Sequence, residues 1–447
     1  MFGALECNKV SREGKNVVEF AIDKYKLNNE QYLMALLCAK EMTEWQKAQA
    51  VQMAGDIDFQ IFQQEVIEHR VWGLVMNNIR KLDLFPQECC AEISKKEKQQ
   101  IFDSMKLTSE LIKINRVFNK KSIRLLLMKG PMLGNRLYGD VTKRTSRDLD
   151  ILVSLEDVDR AIDALNELGY QSRYSNKYTA KQMEYIYRQG HHFDFWNSEG
   201  IEIELHWRIS ETWDAAFEDL WGNRREINYI GEKITILGEN EELMFLIHHG
   251  IGHGFHRMKW LIDIVELTKQ GCVRWPQVID YANRIKRLNE LLAGIALCYA
   301  IEAFDMPDIF LEEIRFYQTK ESIIINVCRE SNENLLKAIQ SAQRLINSMK
   351  TIVCYKNGSR NYTVDSKEYI SYYHLYIREV DRFQDKKKIH RILERLQPGE
   401  RDFNKVHLKD EFFALYYIIR IINWIHLLRK SKTNIDRRKD IRYNELN

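Results

Sequence analysis

The sequence predicts an α+β protein that is predominantly helical, with a small mixed sheet flanked by N-terminal and C-terminal helical regions. Only five prolines and 20 glycines occur among its 447 residues, and because both residues interrupt helices, their scarcity favours long helices. Apolar residues recur at helical spacing on either side of a central segment whose apolar runs are short and partly alternating, as is typical of strands. The composition, 45% hydrophobic and 29% charged, excludes a largely disordered chain.

The two flanking regions are expected to be helical over residues 1–121 and 239–447. In the first, apolar residues such as Phe62 and Val66 recur at three- and four-residue spacing, which places them on one stripe of a helix. In the second, the helical period continues to the end of the chain, apart from short breaks at glycine and proline. The segment between them, 122–238, is therefore the predicted α/β core.

Short elements of alternating type build this core. An apolar strand at 123–128 ends at a Lys-Gly-Pro turn, and proline then occupies the first turn of a short helix. A second strand at 148–153 leads into an amphipathic helix at 155–170 that a glycine ends. Two alternating runs, 191–196 and 201–207, are joined by a four-residue turn and should pair as a hairpin.

The charges argue against strong attraction of the whole molecule to polyanions. Lys and Arg number 67 and Asp and Glu number 64, a net charge of +3, so nucleic acid is a less favoured partner that would have to bind locally. The basic tail 429–447 is expected to be a solvated terminus, and a nucleic-acid-binding arm is the alternative.

Cysteine usage and hydropathy predict a cytoplasmic protein without a membrane span. Eight cysteines are scattered without a CxxC pair, and the N-terminus carries no secretory leader, so we expect reduced thiols. The longest apolar run, 415–428, is shorter than the ~20 residues of a spanning helix. It also carries Arg420 and His426.

Acidic side chains share one face of two predicted strands. Asp148 and Asp150 are two residues apart, so both carboxylates project from the same side of a strand. Glu202, Glu204 and His206 alternate likewise on the second strand of the hairpin. If the two strands pair, a third carboxylate joins the aspartates, giving an oxygen-rich cluster that suits one or two Mg²⁺ ions. An Asp-x-Asp pair alone also fits a solvent-facing strand, so the interpretation as a metal site depends on the neighbouring elements.

The turn before the aspartates is a candidate phosphate site. Lys129 and Gly130 end a strand, and the helix that opens at Pro131 directs free N–H groups and a positive end toward a residue without a side chain. Arg144 and Arg147, in the loop before the aspartates, can add positive charge. A triphosphate fits such a turn, and the alternative is that these residues are solvated loop cations.

Histidines on a later predicted helix have two interpretations. His249 and His253 are four residues apart, the spacing of a zinc-binding helix. Because no HExxH arrangement and no third soft ligand is evident, structural or active-site packing is favoured over a metal site. Lys259 and Asp263 are also four apart, and we expect them to bond to each other; the alternative is that they face the acceptor site. The histidines 191–192, at the hairpin entry, either contact the substrate or are simply exposed.

Several of these features together resemble a known family. This is the uncharacterised nucleotidyltransferase family of the DNA-polymerase-β-like superfamily. Its members have segments similar to Lys129-Gly130, Leu137-Tyr138-Gly139, Arg144 with Asp148-Leu149-Asp150, and Leu168-Gly169-Tyr170. The resemblance continues in Glu204-Leu205-His206-Trp207, in the His-rich segment 248–264 and in 397–420. It therefore covers most of the chain.

The resemblance implies a polymerase-β-like mixed sheet and a nucleotidyl transfer. An NMP group would move from an NTP, with ATP the expected nucleotide, to a hydroxyl or similar acceptor, and pyrophosphate would leave. Asp148, Asp150 and Glu204 would be the catalytic residues and would hold two Mg²⁺ or Mn²⁺ ions. Glu202 shares the face of Glu204 and is the alternative third ligand.

The same resemblance leaves the acceptor open. Lys129, Gly130, Arg144 and Arg147 are the expected nucleotide-binding residues, although the wider superfamily has Gly-Ser where this chain has Lys-Gly. The acceptor would be a small molecule, a peptide or a protein. A catalytically inactive protein of this fold that binds or regulates is the alternative, but carboxylates clustered without a metal repel one another.

Overall fold

The structure is a computed structural model that describes residues 9–10, 16–23, 27–172, 178–213, 215–307, 316–318, 322–327, 342 and 396–423. Within these ranges it is a predominantly helical α+β fold with a seven-stranded mixed sheet, as predicted. The basic tail discussed above lies outside the described residues. None of the described helices combines the length and the apolar content that crossing a bilayer needs.

A small antiparallel sheet lies within the regions predicted to be helical. Its strands, numbered with the others in chain order, are β1 (Lys9–Val10), β2 (Asn16–Asp23), β10 (Phe316–Gln318) and β11 (Ser322–Val327). They are arranged in the order β1-β2-β11-β10. The expectation of continuous helix is therefore wrong at these residues. The reason is composition: β11 has the sequence SIIINV, and β-branched residues favour strands over helices.

The first helical region is a bundle whose helices begin at capping residues. The helices are α1 (Asn29–Leu37), α2 (Glu44–Met53), α3 (Phe59–His69), α4 (Trp72–Leu82) and α5 (Ala91–Lys120). Side-chain oxygens of Asn28, Thr43 and Asp58 accept hydrogen bonds from the first-turn N–H groups of α1, α2 and α3. Phe62 and Val66 of the predicted stripe are buried, which confirms the helical period there.

The mixed sheet positions the candidate site. Its strands are β3 (Leu126–Leu127), β4 (Asp148–Leu152), β5 (Gln171–Ser172), β6 (His192–Trp196), β7 (Glu202–His206), β8 (Arg225–Tyr229) and β9 (Glu232–Ile236). Their order is β5-β6-β7-β4-β3-β9-β8. β4 pairs in parallel with β7 and β3 with β9, and the other neighbours are antiparallel. The predicted hairpin is confirmed as β6 and β7.

Helices cover the apolar side of this sheet. Those within the α/β segment are α6 (Pro131–Tyr138), α7 (Val158–Glu167), α8 (Ala180–Gln189) and α9 (Phe217–Gly222), with a 3₁₀ turn at Leu155–Asp157. Proline opens α6 as predicted. Side chains from α5, α7 and the strands form one buried apolar cluster that includes Leu111, Leu165, Leu149 and Ile203.

The C-terminal helices share a core with the N-terminal bundle. They are α10 (Glu239–Gly252), α11 (Met258–Lys269), α12 (Trp275–Arg284) and α13 (Leu288–Ala300), followed by 3₁₀ turns at Glu302–Phe304 and Asp410–Phe412 and a short helix at Glu400–Phe403. Leu33 and Val75 of the bundle lie in the same buried cluster as Leu261 and Leu292. The division at 121/122 and 238/239 stays a prediction, and the strands of the mixed sheet fall between residues 126 and 236.

Candidate active site

Three neighbouring strands present polar side chains on one face of the mixed sheet. In the parallel pair β4 and β7, Asp148 lies opposite Glu202 and Asp150 opposite Glu204. In the antiparallel pair β6 and β7, Glu204 lies opposite Asp194. Residues paired across strands point to the same face, so the predicted meeting of the aspartates with a third carboxylate is confirmed. Apolar residues fill the opposite face: Leu149, Ile151, Phe193, Phe195, Ile203 and Leu205.

His206 links two carboxylates of this face. Its Nε2 lies 3.2 Å from Glu204 Oε2 and 3.7 Å from Asp150 Oδ1, and its Nδ1 lies 3.3 Å from the carbonyl oxygen of Arg208. Both ring nitrogens therefore face oxygen acceptors, which favours the doubly protonated ring. Burial opposes the charge of His206, but the hydrogen bonds to Asp150 and Glu204 outweigh it and raise its pKa.

The two candidate third acids differ in their surroundings. Burial opposes the ionisation of Glu204, yet the hydrogen bond from His206 and the charge of Lys129 lower its pKa. For Glu202, burial and repulsion from Asp148 and Glu204 raise the pKa. A carboxyl group must be deprotonated to ligate a cation, and these surroundings favour the deprotonated form at Glu204 over Glu202.

The Lys129 ammonium lies among carboxylates. Its Nζ is 3.1 Å from Asp150 Oδ2 and 3.3 Å from Asp148 Oδ2. The backbone explains this placement, because Met128 N donates to the Asp150 carbonyl oxygen at 2.9 Å and the next residue emerges beside both aspartates. Burial opposes the charge of Lys129, but attraction by Asp150 and Asp148 raises its pKa above the ordinary value. The sequence predicted a phosphate partner for Lys129, and its partners in the structure are the aspartates.

Gly130 has a backbone conformation that glycine adopts more readily than other residues. Its φ is +113° at the entry to α6, and a Cβ at this position would lie 3.4 Å from Leu149 Cδ2. Gly130 is buried and is not among the residues that line the cleft described below. In the structure Gly130 therefore allows the tight turn into α6, and a contact between Gly130 and a nucleotide stays a prediction.

The loop before β4 is fastened to α11 by a buried ion pair. Arg144 Nε donates to Asp263 Oδ2 at 2.9 Å, and the Tyr138 hydroxyl donates to Oδ1 of the same carboxylate at 3.0 Å. Lys259 Nζ donates to the Thr145 carbonyl oxygen at 3.2 Å. The expected bond between Lys259 and Asp263 is therefore wrong. The prediction fails because of a tertiary contact: the loop brings Arg144 to the carboxylate of Asp263 and a backbone acceptor to Lys259.

The acidic face opens into a cleft of about 480 Å³. Asp148, Asp150 and Glu204 line one part of it, and Arg147 is exposed at its edge. Arg144 also lines the cleft, although its guanidinium is already bonded to Asp263. The other lining residues include Arg70, Arg257, His191, His192, His206, Ser210, Thr212, His248, His249, His253 and Trp260. The cleft therefore combines carboxylates, cations and neutral hydrogen-bonding groups.

His249 on α10 and His253, the residue that follows this helix, pack against an aromatic ring. The ring centroids of His249 and His253 are 4.6 Å apart, and His253 stacks on Trp260 at 4.9 Å. Burial and the neighbouring His256 lower the pKa of His253 to about 4. In the described part of the chain, neither His249 nor His253 belongs to a group of three side chains with converging metal-ligand atoms. Packing, the favoured interpretation, agrees with these contacts.

A family model described as "Uncharacterised nucleotidyltransferase" matches residues 55–301, more than half of the chain. The chain belongs to this family. Among solved structures, an antigenic nucleotidyltransferase-like protein from Paracoccidioides brasiliensis is similar, with 14% identity over 46% of this chain and 96% of that chain and a TM-score of 0.29. No curated protein matched.

The segment that the family model matches contains every predicted site residue. Other polar residues close to them were not predicted from the sequence. Asp194 faces Glu204 across the hairpin, and it could have been found because it alternates with two phenylalanines on β6. Arg70 and Arg257 line the cleft but carry no local signal, since one follows α3 and the other precedes α11. Histidines 191–192 are half-buried in the cleft, so simple exposure is excluded.

The acidic face has ligand atoms that suit a divalent metal. Carboxylate oxygens of Asp150 and Glu204 lie within 4.8 Å of each other and of a ring nitrogen of His206, and carboxylate oxygens are the ligands that Mg²⁺ prefers. Asp150 Oδ2 is buried and has the Lys129 ammonium as its neighbour at 3.1 Å, a contact that occupies one of the two lone pairs of a carboxylate oxygen. This oxygen therefore has coordination capacity left for an ion.

Proposed function

We propose that the protein is a metal-dependent nucleotidyltransferase that moves an NMP group from an NTP to a hydroxyl or similar acceptor and releases pyrophosphate. The observation that carries the proposal is the pairing of β4 with β7, which gathers Asp148, Asp150 and Glu204 on one face of the sheet. Membership of the nucleotidyltransferase family supports it. ATP is the nucleotide we expect.

Asp148, Asp150 and Glu204 would hold Mg²⁺ or Mn²⁺, two ions in the mechanism that we propose. Such ions, when bound, polarise phosphoryl oxygens and activate the attacking hydroxyl. The chain's own contribution is to fix the ligands. His206 donates toward both Glu204 and Asp150 and so orients their carboxylates. Lys129 places a fixed positive charge beside the two aspartates.

The phosphates of the NTP would bind at the cationic part of the cleft. Arg70, Arg147 and Arg257 line it, and in the described part of the chain no ion pair joins any of them to a carboxylate. Burial and repulsion from Arg257 and Arg147 lower the pKa of Arg70 to about 10. Crowded guanidinium groups without acidic partners suit a phosphate chain, which they bind in a bidentate manner.

Backbone hydrogen bonds hold these arginines near one another. Met258 N, next to Arg257, donates to His69 Nδ1 at 2.9 Å, and the Thr145 hydroxyl donates to the Arg70 carbonyl oxygen at 3.1 Å. The end of α3, the loop before β4 and the start of α11 are thereby tied together. Arg144, bonded to Asp263, would position this loop rather than take most of the phosphate charge.

A catalytically inactive binding protein of the same fold is the second candidate. The observation that favours it is the pairing of Lys129 with Asp148 and Asp150, since an internal ammonium reduces the repulsion that a metal would otherwise relieve. Such a protein would bind nucleotide to the same extent with and without Mg²⁺.

Calorimetric titration with each of the four NTPs, in the presence of Mg²⁺ or of EDTA, separates the two candidates. We expect Mg²⁺-dependent binding of one NTP, lost in the Asp148→Asn/Asp150→Asn variant. Asp163→Asn, the same chemical change at an exposed position of α7, should bind like the parent protein. Binding that ignores Mg²⁺ and the double substitution would favour the inactive protein, and no binding of any NTP would contradict both.

A further inference from the structure

A serine, a histidine and a glutamate form a hydrogen-bonded chain in the wall of the cleft. Ser210 Oγ lies 2.9 Å from His248 Nε2, and His248 Nδ1 lies 2.8 Å from Glu290 Oε2. The serine follows β7, the histidine lies on α10 and the glutamate on α13, so the tertiary fold brings them together. A hydroxyl, an imidazole and a carboxylate in this order form the arrangement that activates a serine nucleophile.

The partners of His248 determine which ring nitrogen carries the hydrogen. Burial opposes the charge of Glu290, but Arg287 and His248 outweigh it and lower its pKa. An ionised carboxylate only accepts hydrogen bonds, so Nδ1 must carry a hydrogen to bond Glu290 at 2.8 Å. Arg287 Nη1 lies 3.2 Å from Nδ1, and because both atoms then carry hydrogens, the guanidinium donates instead to Glu290 and to the Thr212 carbonyl oxygen.

The other ring nitrogen is therefore an acceptor. Burial lowers the pKa of His248, so the neutral ring with a hydrogen on Nδ1 leaves a lone pair on Nε2. Ser210 Oγ is the group that faces this lone pair, and its hydroxyl donates to it. Nε2 is thus placed to remove the proton of Ser210 when the oxygen attacks an electrophile.

Ser210 shares the cleft with the acidic face. Ser210 is half-buried and lines the cleft together with Asp148 and Glu204. His191 connects the two parts: its ring centroid is 5.7 Å from that of His206, and its carbonyl oxygen accepts from Trp207 N at 3.0 Å. The segment that carries Ser210 thus leaves the acidic strand β7 along the wall of the same cavity.

We propose that Ser210 is a nucleophile that accepts the NMP group, so that the enzyme modifies itself; this inference rests on the proposed function. Ser210 Oγ forms a bond to the α-phosphorus of the NTP. The bond from that phosphorus to the oxygen bridging the α- and β-phosphates breaks, and pyrophosphate leaves with the electron pair. The hydroxyl proton passes to His248 Nε2. Glu290 is a positioning residue that keeps the hydrogen on Nδ1.

Intact-protein mass spectrometry after incubation with Mg²⁺ and each NTP tests the proposal. We expect the parent protein to gain the mass of one NMP group, located on Ser210 by peptide mapping. Ser210→Ala should gain none, whereas Ser198→Ala, which removes an exposed hydroxyl of the hairpin turn outside the cleft, should be modified like the parent. His248→Gln should slow the modification by about a hundredfold, the usual contribution of a general base.

Glu290→Gln distinguishes orientation from folding. It should slow the modification while the calorimetric affinity for the NTP with Mg²⁺ stays unchanged, because Glu290 is buried and is not among the residues that line the cleft. Retained affinity in Ser210→Ala likewise shows that the variant is folded.

The possible failures point to different conclusions. Modification that persists in Ser210→Ala would overturn the assignment. A parent protein that binds an NTP with Mg²⁺ but gains no mass would overturn this inference and leave the proposed function standing. A protein that binds no NTP would contradict the proposed function itself.

Discussion

Lys129 Nζ, two residues beyond the end of β3, lies 3.1 Å from Asp150 Oδ2 on the adjacent antiparallel strand β4. The ammonium also reaches Asp148 at 3.3 Å, so both aspartates of the candidate metal site share one internal cation. Their carboxylates would otherwise repel each other across the face of the sheet. A divalent ion that binds both aspartates must therefore share them with Lys129.

Lys129→Met should tighten the binding of a divalent metal and reduce stability in its absence. Removal of the ammonium leaves the carboxylates uncompensated, so we expect Mn²⁺ affinity to rise about tenfold, equivalent to ~1.4 kcal/mol. The melting temperature in EDTA should fall, and Mn²⁺ should restore it. Calorimetric Mn²⁺ titration and thermal denaturation measure the two effects.

The control for this prediction is Lys233→Met on β9, whose side chain is 73% exposed. It should leave Mn²⁺ affinity and the effect of Mn²⁺ on the melting temperature unchanged. If Lys129→Met also leaves Mn²⁺ affinity unchanged, its ammonium and the metal do not share the aspartates.

Arg70→Gln and Arg257→Gln should each weaken the binding of inorganic tripolyphosphate. Hydrogen bonds to charged groups contribute about 1.5–3 kcal/mol, so we expect roughly a ten- to hundredfold loss of affinity for each substitution. Calorimetry in EDTA measures this contribution without a metal. The affinity for AMP, which lacks the two outer phosphates, should change much less.

Arg116→Gln is the matched control, because this exposed arginine pairs with Glu232. It removes the same charge and should leave tripolyphosphate affinity unchanged at constant ionic strength. An equal loss in all three variants would mean that net charge, rather than a local site, attracts the polyphosphate.

The acidic face could be predicted from the sequence because it depends on local period and on one pairing. Along each strand the acidic residues are two apart: Asp148 and Asp150 on one, Glu202 and Glu204 on the other. The single assumption that these strands are neighbours was therefore enough to place all four carboxylates on one face. The partners of Lys129 and Arg144 depend instead on how a turn and a loop meet other elements. No spacing in the chain encodes that Arg144 reaches Asp263, 119 residues later.

The cationic part of the cleft and the hydrogen-bonded chain from Ser210 to Glu290 could not be predicted from the sequence, for the same reason. Arg70 and Arg257 lie at helix ends, where an arginine is commonly solvated, and only the contacts between α3 and α11 bring them to one cleft. Ser210, His248 and Glu290 span 80 residues without a recognisable motif. The small sheet was not predicted for a different reason. Its strands β2 and β11 pair across about 300 residues, and the helical period of the surrounding sequence concealed the local preference of β11 for a strand.

Arg144→Met should destabilise the fold strongly, because it leaves the Asp263 carboxylate buried without its cation. Removing one partner of a buried ion pair costs about 3–5 kcal/mol, and the side chains of Arg144 and Asp263 are only 5% and 1% exposed. The double variant Arg144→Met/Asp263→Leu should be less destabilised than Arg144→Met alone. Urea denaturation of the three proteins measures the coupling, and additive effects would contradict it.

The histidines near Trp260 should make the fold less stable in mild acid. Burial lowers the pKa of both His253 and His256 from 6.5 to about 4, assisted for His253 by the charge of His256. Between pH 6.5 and 4 the unfolded chain therefore binds protons at these residues that the folded chain does not. Stability falls with decreasing pH wherever the unfolded state binds more protons, so the midpoint of urea denaturation should decrease across this range.

Carboxylates also contribute to acid denaturation, so the decisive quantity is the difference between variants. His253→Asn/His256→Asn cannot take up these protons, and its urea midpoint should depend less steeply on pH between 6.5 and 4 than that of the parent protein. His407→Asn, at an exposed position, should keep the parental slope. Parallel pH profiles for the parent and the double variant would show that these two histidines are not the acid-sensitive groups.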